Sequence, residues 1–402
     1  ALLTKTVTAT LPAALLVVFW WKRGRLEWRR DVRPLLPWFA LGAIAGLFTA
    51  HFERALIGAQ GGDFVLGAVQ RLLLAGRVFW FYLGKLAWPA DLMFIYPHWT
   101  IDPSASSSWL FLLAALASLT AAVVAAVRDR RFRAPLAAGL LFAGALFPVL
   151  GFLNVYPFVF SYVADHFQYL ASLPVFALVS AGLAGARAPA LVRGGAAVGL
   201  LAVLGGLSRS QCRMYRDATT LYETTLRQNP DCWLAAHNLA ILRAGSGRVP
   251  EAISLEQKVL QLHPDYAPAE NNLGDDLMRL GRTGEAIPDF ERAIRLQPDY
   301  AVAHRNLGMA LAMTDRVAAA LPHFELAAQL DSGDAEAQLD WAMALLQTGH
   351  AADALPHFAR ALALNPKSAE TQLAFAQALR QLGRIDEAQQ HALEARRLQP
   401  AP

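Results

Sequence analysis

Four polar side chains recur at one position of a repeating unit in the second half of the sequence. Asn238, Asn272 and Asn306 follow one another at intervals of 34 residues, and Asp340 continues the series. Amide and carboxylate groups in such a row can donate to and accept from the backbone of an extended peptide. We therefore predict a peptide-binding site at these four residues. The alternative is that Asn-Leu-Gly is only a common consensus of the repeat, and the series lapses at Ala374.

A second group of side chains in the first half could bind phosphate. Arg77 and Lys85 lie eight residues apart, within about 80° of each other on a helix, and both side chains can bind phosphate oxygens. Polar residues also crowd the segment 154–172, and Lys5 lies in a run of threonines. The predicted phosphate or cavity residues are Lys5, Arg77, Lys85, Asp165, His166 and Tyr169. The alternatives are cations that reach the lipid headgroups and an interfacial belt of aromatic side chains.

No sequence motif indicates a metal site, a nucleotide-binding loop or a catalytic nucleophile. The sequence contains no CxxC, HExxH, P-loop or GxSxG pattern, so we predict no metal site and no certain cofactor, and the catalytic residue stays unknown. A helix between Cys212 and Cys232 would hold them on the order of 20 Å apart. A disulfide needs Cα atoms within about 7 Å, so none is expected here.

A strict 34-residue period positions the polar series. Five prolines follow the period, with Ser332 at the remaining point: Pro230, Pro264, Pro298, Pro366 and Pro400. Alanines recur in the same way from Ala218 to Ala388, and a Gly or Asp marks the middle of each unit. This is the period of the tetratricopeptide repeat (TPR). We expect a half repeat at 209–232, joined to the last apolar span, and five full repeats at 233–402.

The first half has the composition of a membrane domain. The chain is 55% hydrophobic and only 17% charged, and the apolar residues fall in runs of the length that crosses a bilayer. Six spans are expected, at 2–21, 34–52, 109–127, 135–153, 169–186 and 190–208. The fold class is therefore all-α, a polytopic transmembrane helix bundle in residues 1–208 followed by a TPR α-solenoid. Because Ala1 lies inside an apolar run, we expect a fragment that begins in or just before a helix.

Basic loops predict the orientation. Residues 22–33 contain six Lys and Arg and residues 128–133 contain four, which places both loops in the cytoplasm. Segment 65–88, with three cations, then becomes an interfacial or re-entrant helix on the outer side. If it crosses instead, all later loops invert. The repeats are expected on the periplasmic or lumenal side of an integral membrane protein. Because topology explains the basic excess, nucleic acid is not expected as a partner.

Three segments carry a resemblance to a known family. Thr4-Lys5-Thr6 to Pro12, Arg71 to Asp102 and Asp165 to Ser172 resemble segments of the transmembrane and TPR repeat-containing proteins. These are O-mannosyltransferase-like members of the GT-C superfamily. Thr6 stands where this family usually has Glu, and His166 where it has Arg.

The resemblance implies transfer of a sugar from a polyprenyl-phosphate donor to a protein hydroxyl on the outer membrane face. It also implies a catalytic carboxylate in a first outer loop, upstream of Ala1. Membrane lipid and an acceptor polypeptide would be the partners. Two alternatives stay open: a non-catalytic membrane-anchored TPR scaffold, and a polyprenyl-linked glycan ligase with a TPR tail.

Overall fold

The chain is all-helical where its structure is described. A computed structural model describes residues 9–55 and 66–398, and these residues form helices and turns with no strand among them. The all-α prediction is confirmed. Two compact units follow one another, Ala1–Cys232 and Trp233–Pro402, and each is described by itself.

The first unit contains eight α-helices within the described residues, separated by short turns. The helices are α1 Leu11–Arg23, α2 Leu36–Ala55, α3 Ala68–Ala87, α4 Ser106–Arg128, α5 Arg133–Leu146, α6 Tyr169–Gly185, α7 Ala190–Cys212 and α8 Ala218–Gln228. A π-helical turn, Trp28–Val32, precedes α2, and 3-10 turns extend α5 and α6 at Phe147–Val149 and Asp165–Gln168.

Five helical segments of this unit are long and apolar enough to cross a membrane by length and composition. They are Trp28–Thr49, Ser106–Arg128, Arg130–Val149, Asp165–Gly185 and Ala190–Tyr215. They correspond to five of the six expected spans. The first expected span begins outside the described residues and continues as α1.

Helix α3 packs one face into the core of the first unit. Leu74 and Tyr82 are fully buried, and the cluster includes Phe142 and Leu146 of α5. Gly76 allows the close approach of α4, because a Cβ there would lie 2.7 Å from the backbone nitrogen of Leu112. Residues Ala68–Ala87 of the expected segment 65–88 thus form a packed helix, and the position of this segment relative to a bilayer stays a prediction.

Residues 233–398 of the second unit form ten α-helices of 13 or 14 residues, which pack as consecutive pairs. Each pair is one repeat, with a first and a second helix. The helices are α9 Trp233–Gly245, α10 Val249–Leu262, α11 Ala267–Arg279, α12 Thr283–Leu296, α13 Ala301–Met313, α14 Val317–Leu330, α15 Ala335–Gln347, α16 Ala351–Leu364, α17 Ala369–Gln381 and α18 Ile385–Leu398.

The turn inside each repeat needs a left-handed residue. Gly247, Gly281, Gly349 and Gly383 all have φ between 73° and 85°, and Asp315 occupies the equivalent place with φ 59°. Glycine adopts this conformation without the steric cost that a Cβ brings. The predicted mid-repeat turns therefore lie where the sequence period put them.

Aromatic residues fill the space between the two helices of the middle repeats. Phe290 and Phe324 are buried, and each ring lies so close to a glycine of the first helix, Gly274 or Gly308, that a Cβ would overlap it. In the first repeat the equivalent position is Glu256, which is fully buried. This substitution brings a carboxylate into the helix interface.

Candidate functional site

The polar column, defined as Asn238, Asn272, Asn306 and Asp340, occupies one register of the first helices α9, α11, α13 and α15. All four side chains are partly exposed. In α13, Asn306 shares its side of the helix with the buried Ala303 and Ala310 and with the exposed Val302. The column therefore lies at the partly exposed edge of these helices, beside the core of the repeats.

A hydrogen-bond network links the column across repeat boundaries. Nδ2 of Asn272 donates to Oε1 of Glu256 at 3.1 Å, and Nδ1 of His237 lies 3.0 Å from the same oxygen. Nδ2 of Asn306 donates to Oδ1 of Asn271 at 3.0 Å. The network therefore runs through the first three repeats, and most of its polar atoms belong to residues at two adjacent helix positions.

An ion-pair cluster ends the column. Arg305 donates through Nε to Oδ2 of Asp340 at 2.7 Å, and its Nη2 lies 2.7 Å from Oε2 of Glu336. Burial raises the pKa of Asp340, and the neighbouring Arg305 opposes this shift. One guanidinium thus faces two carboxylates. The polar column changes from neutral amides to a net negative end.

Asn238 begins the column, and its side chain forms no hydrogen bond to any residue in the described part of the chain. Its amide can both donate and accept. Apolar side chains share the same helix face, since residues three, four and seven apart lie on one side of a helix. Val302, Met313 and Ile241 are 52%, 63% and 48% exposed. Polar and apolar contacts are therefore both available on this face.

Two carboxylates of the second repeat are held where ionisation is costly. Burial, together with Asp275 and Glu256, raises the pKa of Asp276 to about 6, while Arg279 opposes the shift. Burial also raises the pKa of Asp289 to about 6. Neither residue was predicted from the sequence. The signal that could have found Asp276 is that it stands where the later repeats have Ala310, Ala344 and Ala378.

A row of histidines joins the two helices of the later repeats. Nδ1 of His357 lies 3.1 Å from Oε1 of Gln338, and Nδ1 of His323 lies 3.2 Å from Nδ1 of His304. Burial lowers the pKa of His323 and of His357. His323, His357 and His391 follow the 34-residue period, and this spacing is the signal that could have found them. Their partners within each repeat indicate a packing role.

In the first unit, Arg77 lies against an aromatic face. Its guanidinium carbon is 4.3 Å from the centroid of the Trp99 ring, and the side chain is half-buried. Among the described residues no carboxylate pairs with it. A guanidinium stacked on indole keeps its in-plane donors free for an anion.

Lys85 has a different environment from Arg77. Its Nζ donates to the carbonyl oxygens of Ala90 and Asp91 at 2.7 and 3.1 Å, and it lies over the rings of Phe81 and Tyr96. Two of its three donors thus hold the turn that follows α3. This contact leaves Lys85 less available for phosphate than Arg77.

Asp165 joins this cluster through a tyrosine. The hydroxyl of Tyr96 donates to Oδ1 of Asp165 at 2.8 Å. The ring of Phe81 packs edge-on against Tyr96 and Trp99, at 5.0 and 5.4 Å between centroids. The structure therefore brings Arg77, Lys85 and Asp165 around one group of aromatic rings, which we call the aromatic–cation cluster: Arg77, Phe81, Lys85, Tyr96, Trp99 and Asp165.

The other predicted phosphate residues lie elsewhere. His166 is exposed and its ring contacts Phe167, with 4.6 Å between centroids, and Tyr169 is 68% exposed. Asp165 is partly buried and bonded to Tyr96, whereas the adjacent His166 is exposed. Lys5 lies outside the described residues.

Arg71 and Tyr82 support the cluster, and the sequence did not indicate these contacts. Arg71 donates to the carbonyl oxygen of Gly151 at 2.6 Å and to Oδ1 of Asn154 at 2.9 Å. The buried hydroxyl of Tyr82 donates to the carbonyl oxygen of Ala164 and accepts from its amide. Both residues fix the segment that carries Asp165 against α3.

Comparison with protein families identifies the repeats. Residues 211–267 and 271–335 match one family profile described as Tetratricopeptide repeat, and residues 345–401 match a second profile of the same description. The chain therefore contains tetratricopeptide repeats, as predicted. These matches lie between residues 211 and 401 and give no support for a GT-C assignment of the first unit. No curated protein sequence matches the chain significantly.

Three of the solved structures that resemble the chain do so at low identity. YrrB, described as a TPR protein with an unusual peptide-binding site, is 23% identical, covers 44% of this chain and 92% of its own, and has a TM-score of 0.40. A MamA structure is 22% identical over 40% of this chain and 94% of its own, with a TM-score of 0.38. MamA 41-end from Desulfovibrio magneticus RS-1 is 18% identical over 45% and 95%, with a TM-score of 0.38. No functional argument follows from similarity at this level.

Proposed function

We propose that this chain is a membrane-anchored receptor that binds an extended polypeptide on its tetratricopeptide repeats. The observation that carries the proposal is the polar column, in which amide or carboxylate groups of four successive first helices share one register and are partly exposed. Backbone groups of an extended chain are the complement of such a row, because each peptide unit carries one donor and one acceptor.

Charge and exposure support a polypeptide as the occupant. The column ends at Asp340, where Glu336 adds a second carboxylate beside Arg305. Exposed apolar side chains on the same helix faces supply contact area, and a methionine such as the exposed Met313 adapts to ligands of different shape. A mixed polar and apolar surface of this kind suits peptides better than a small molecule.

Binding of a fluorescein-labelled, 20-residue Ser/Thr-rich peptide to the full chain in detergent micelles tests this proposal. The variant N238A/N306A removes column amides and should weaken binding roughly tenfold, as expected for two lost hydrogen bonds of about 0.5–1.5 kcal/mol each. The control Q257A/E325A changes two exposed second-helix residues at a shared repeat position and should bind normally. Equal affinity of both variants, or no binding by the wild-type chain, would overturn the proposal.

The membrane anchor is the second part of the proposal. Five helical segments have the length and hydropathy of membrane spans, and their apolar side chains are largely exposed, with Leu191 88% and Val127 81% exposed. The basic loop 128–133 is assigned to the cytoplasm and the repeats to the periplasmic or lumenal side. A single cysteine at 130 in a cysteine-free chain should resist a membrane-impermeant maleimide added outside. Labelling there would invert the assigned orientation.

A second candidate function is protein glycosylation from a polyprenyl-phosphate sugar. The observation that favours it is the unpaired guanidinium of Arg77 on Trp99, which is connected to the Tyr96–Asp165 pair through the ring of Phe81, because a half-buried cation of this kind suits a lipid-linked phosphate. In this reaction a Ser or Thr hydroxyl oxygen bonds to C1 of the sugar. The bond from C1 to the phosphate oxygen breaks, polyprenyl phosphate leaves, and the hydroxyl proton passes to a base.

Mass spectrometry of the peptide separates the two candidates. Membranes that contain the full chain are incubated with polyprenyl-phosphate mannose and the same Ser/Thr-rich peptide. A transferase adds one hexose, and R77Q should lower the yield at least tenfold, whereas R187Q, at an exposed arginine of the same unit, should not. A chain that binds the peptide and forms no glycopeptide is a receptor without this activity.

A further inference from the structure

Two arginine-rich segments that are far apart in the sequence lie together at one end of the first unit. Helix α1 packs against α5, and Gly24, which ends α1, has φ 76°. The guanidinium of Arg133 lies against Gly24 so closely that a Cβ there would overlap it. Residues 22–33 and 128–133 therefore form one surface, which we call the basic end.

The charges of the basic end are mostly uncompensated. It contains ten Lys and Arg and three acidic residues. Two of the acidic residues form ion pairs within this surface: the buried Asp31 lies 2.7 Å from Arg23, and Glu27 lies 3.2 Å from Arg25. The side chains of the remaining eight cations form no ion pair or hydrogen bond within the described residues: Lys22, Arg29, Arg30, Arg33, Arg128, Arg130, Arg131 and Arg133. All of these except Arg133 are exposed.

Exposed aromatic side chains surround these cations. Trp28 is 62% exposed, Trp38 58% and Phe132 49%. Trp and other aromatic residues favour the level of the lipid headgroups, and the apolar helices α2, α4 and α5 begin or end at this surface. A dense group of cations and aromatic rings at the ends of apolar helices matches the chemistry of a bilayer surface with negative headgroups.

We propose that the basic end binds the headgroups of anionic phospholipids and prefers them to zwitterionic ones. This inference rests on the membrane anchor proposed above. If the basic residues only set the orientation of the helices in the membrane, residues 22–33 and 128–133 would not need to lie together. Convergence brings the guanidinium of Arg133 against the end of α1 and so adds its charge to those of residues 22–33, and each cation near a negative surface contributes attraction. The continuity with apolar helices favours lipid over nucleic acid as the source of the phosphate.

Native mass spectrometry of the full chain in detergent micelles tests the preference. The chain is mixed with equal amounts of phosphatidylglycerol and phosphatidylcholine, and the wild type should retain phosphatidylglycerol selectively. R128Q/R130Q/R131Q should lower the ratio of retained lipids roughly 10- to 100-fold, from the attraction expected per cation. R187Q/R209Q/R213Q removes the same number of exposed charges elsewhere in the unit and should keep the ratio. Circular dichroism checks that both variants are folded.

Several outcomes overturn the inference. Equal retention of the two lipids by the wild type, or an equal loss of preference in both triple variants, shows that the basic end has no special role. Displacement of phosphatidylglycerol by an equimolar short RNA assigns the surface to nucleic acid. A separate measurement tests the proposed membrane anchor. If the chain is not anchored, alkaline carbonate releases it from membranes. A chain that stays in the membrane without lipid preference contradicts only this inference.

Discussion

Nδ2 of Asn272 donates a hydrogen bond to Oε1 of Glu256 at 3.1 Å, across the boundary between the first and second repeats. The carboxylate is fully buried and also contacts His237. In the next three repeats its position belongs to a buried phenylalanine: Phe290, Phe324 and Phe358. A hydrogen-bonded group of His237, Glu256 and Asn272, which we call the polar joint, thus replaces an aromatic contact at the first repeat, where the polar column begins.

Loss of this joint should destabilise the first two repeats. Glu256→Ala leaves the buried groups of His237 and Asn272 without their partner, which costs about 2 to 4 kcal/mol. Glu256→Gln keeps a hydrogen-bond acceptor of the same shape and should cost less than half as much. Hydrogen exchange of segment 233–280 in the full chain measures both. Equal protection in wild type and Glu256→Ala would show that the joint adds no stability.

Acid should stabilise the second repeat through Asp276. Its pKa is about 6 in the folded chain and near 3.9 in an unfolded one, so the folded state binds the proton more tightly. This contribution is fully present below about pH 4 and is lost as pH rises through 6. Asp276→Asn should therefore increase protection of α11 at pH 7.5 and leave it nearly unchanged at pH 4.

Wild type and Asp276→Asn must be compared at each pH, because other groups also titrate between pH 4 and 7.5. The raised pKa of Asp289 adds an effect of the same sign, whereas the lowered pKa values of His323 and His357 act oppositely. These effects are common to wild type and variant. A difference that does not change with pH would place the cause outside the ionisation of Asp276.

Periodicity made the second unit predictable. The repeat spacing located its helices, the turns at Gly281 and Asp315, and the register of Asn272 and Asn306. It could not show that Asn272 binds Glu256, because this contact depends on a departure from the repeat pattern. Glu256 and Asp276 differ from the residues at the equivalent positions of the later repeats. The packing around them therefore differs from the packing in those repeats.

The first unit was predictable mainly in composition. Hydropathy located the long apolar helices, but contacts between distant segments, such as Arg71 with Gly151 or Arg133 with Gly24, leave no periodic trace in one sequence. Arg77 and Lys85 looked equivalent from their spacing. The structure separates them, because Lys85 holds the carbonyl oxygens of Ala90 and Asp91 while Arg77 stacks on Trp99.

Asp315 should be a site where a single change stabilises the array. It is the non-glycine member of the mid-repeat turns, with φ 59°, and a Cβ in this conformation costs about 1 kcal/mol. Asp315→Gly should increase protection of α13 and α14 by about 0.5 to 1 kcal/mol. Gly281→Ala, at the equivalent turn with open space around it, should lose a similar amount from α11 and α12. Two effects of the same sign would contradict this steric argument.

Gly76 should be intolerant of any side chain, because it sets the approach of α3 and α4. A Cβ would lie 2.7 Å from the Cα and backbone nitrogen of Leu112, and backbone atoms cannot turn away as a side chain can. Gly76→Ala should therefore cost about 1 to 3 kcal/mol and lower the melting temperature of the full chain in detergent. Gly84→Ala, in the same helix with nothing within 4 Å of its Cβ, should be neutral or stabilise by up to about 1 kcal/mol. If Gly76→Ala and Gly84→Ala have the same melting temperature, the contact between α3 and α4 at Gly76 does not limit stability.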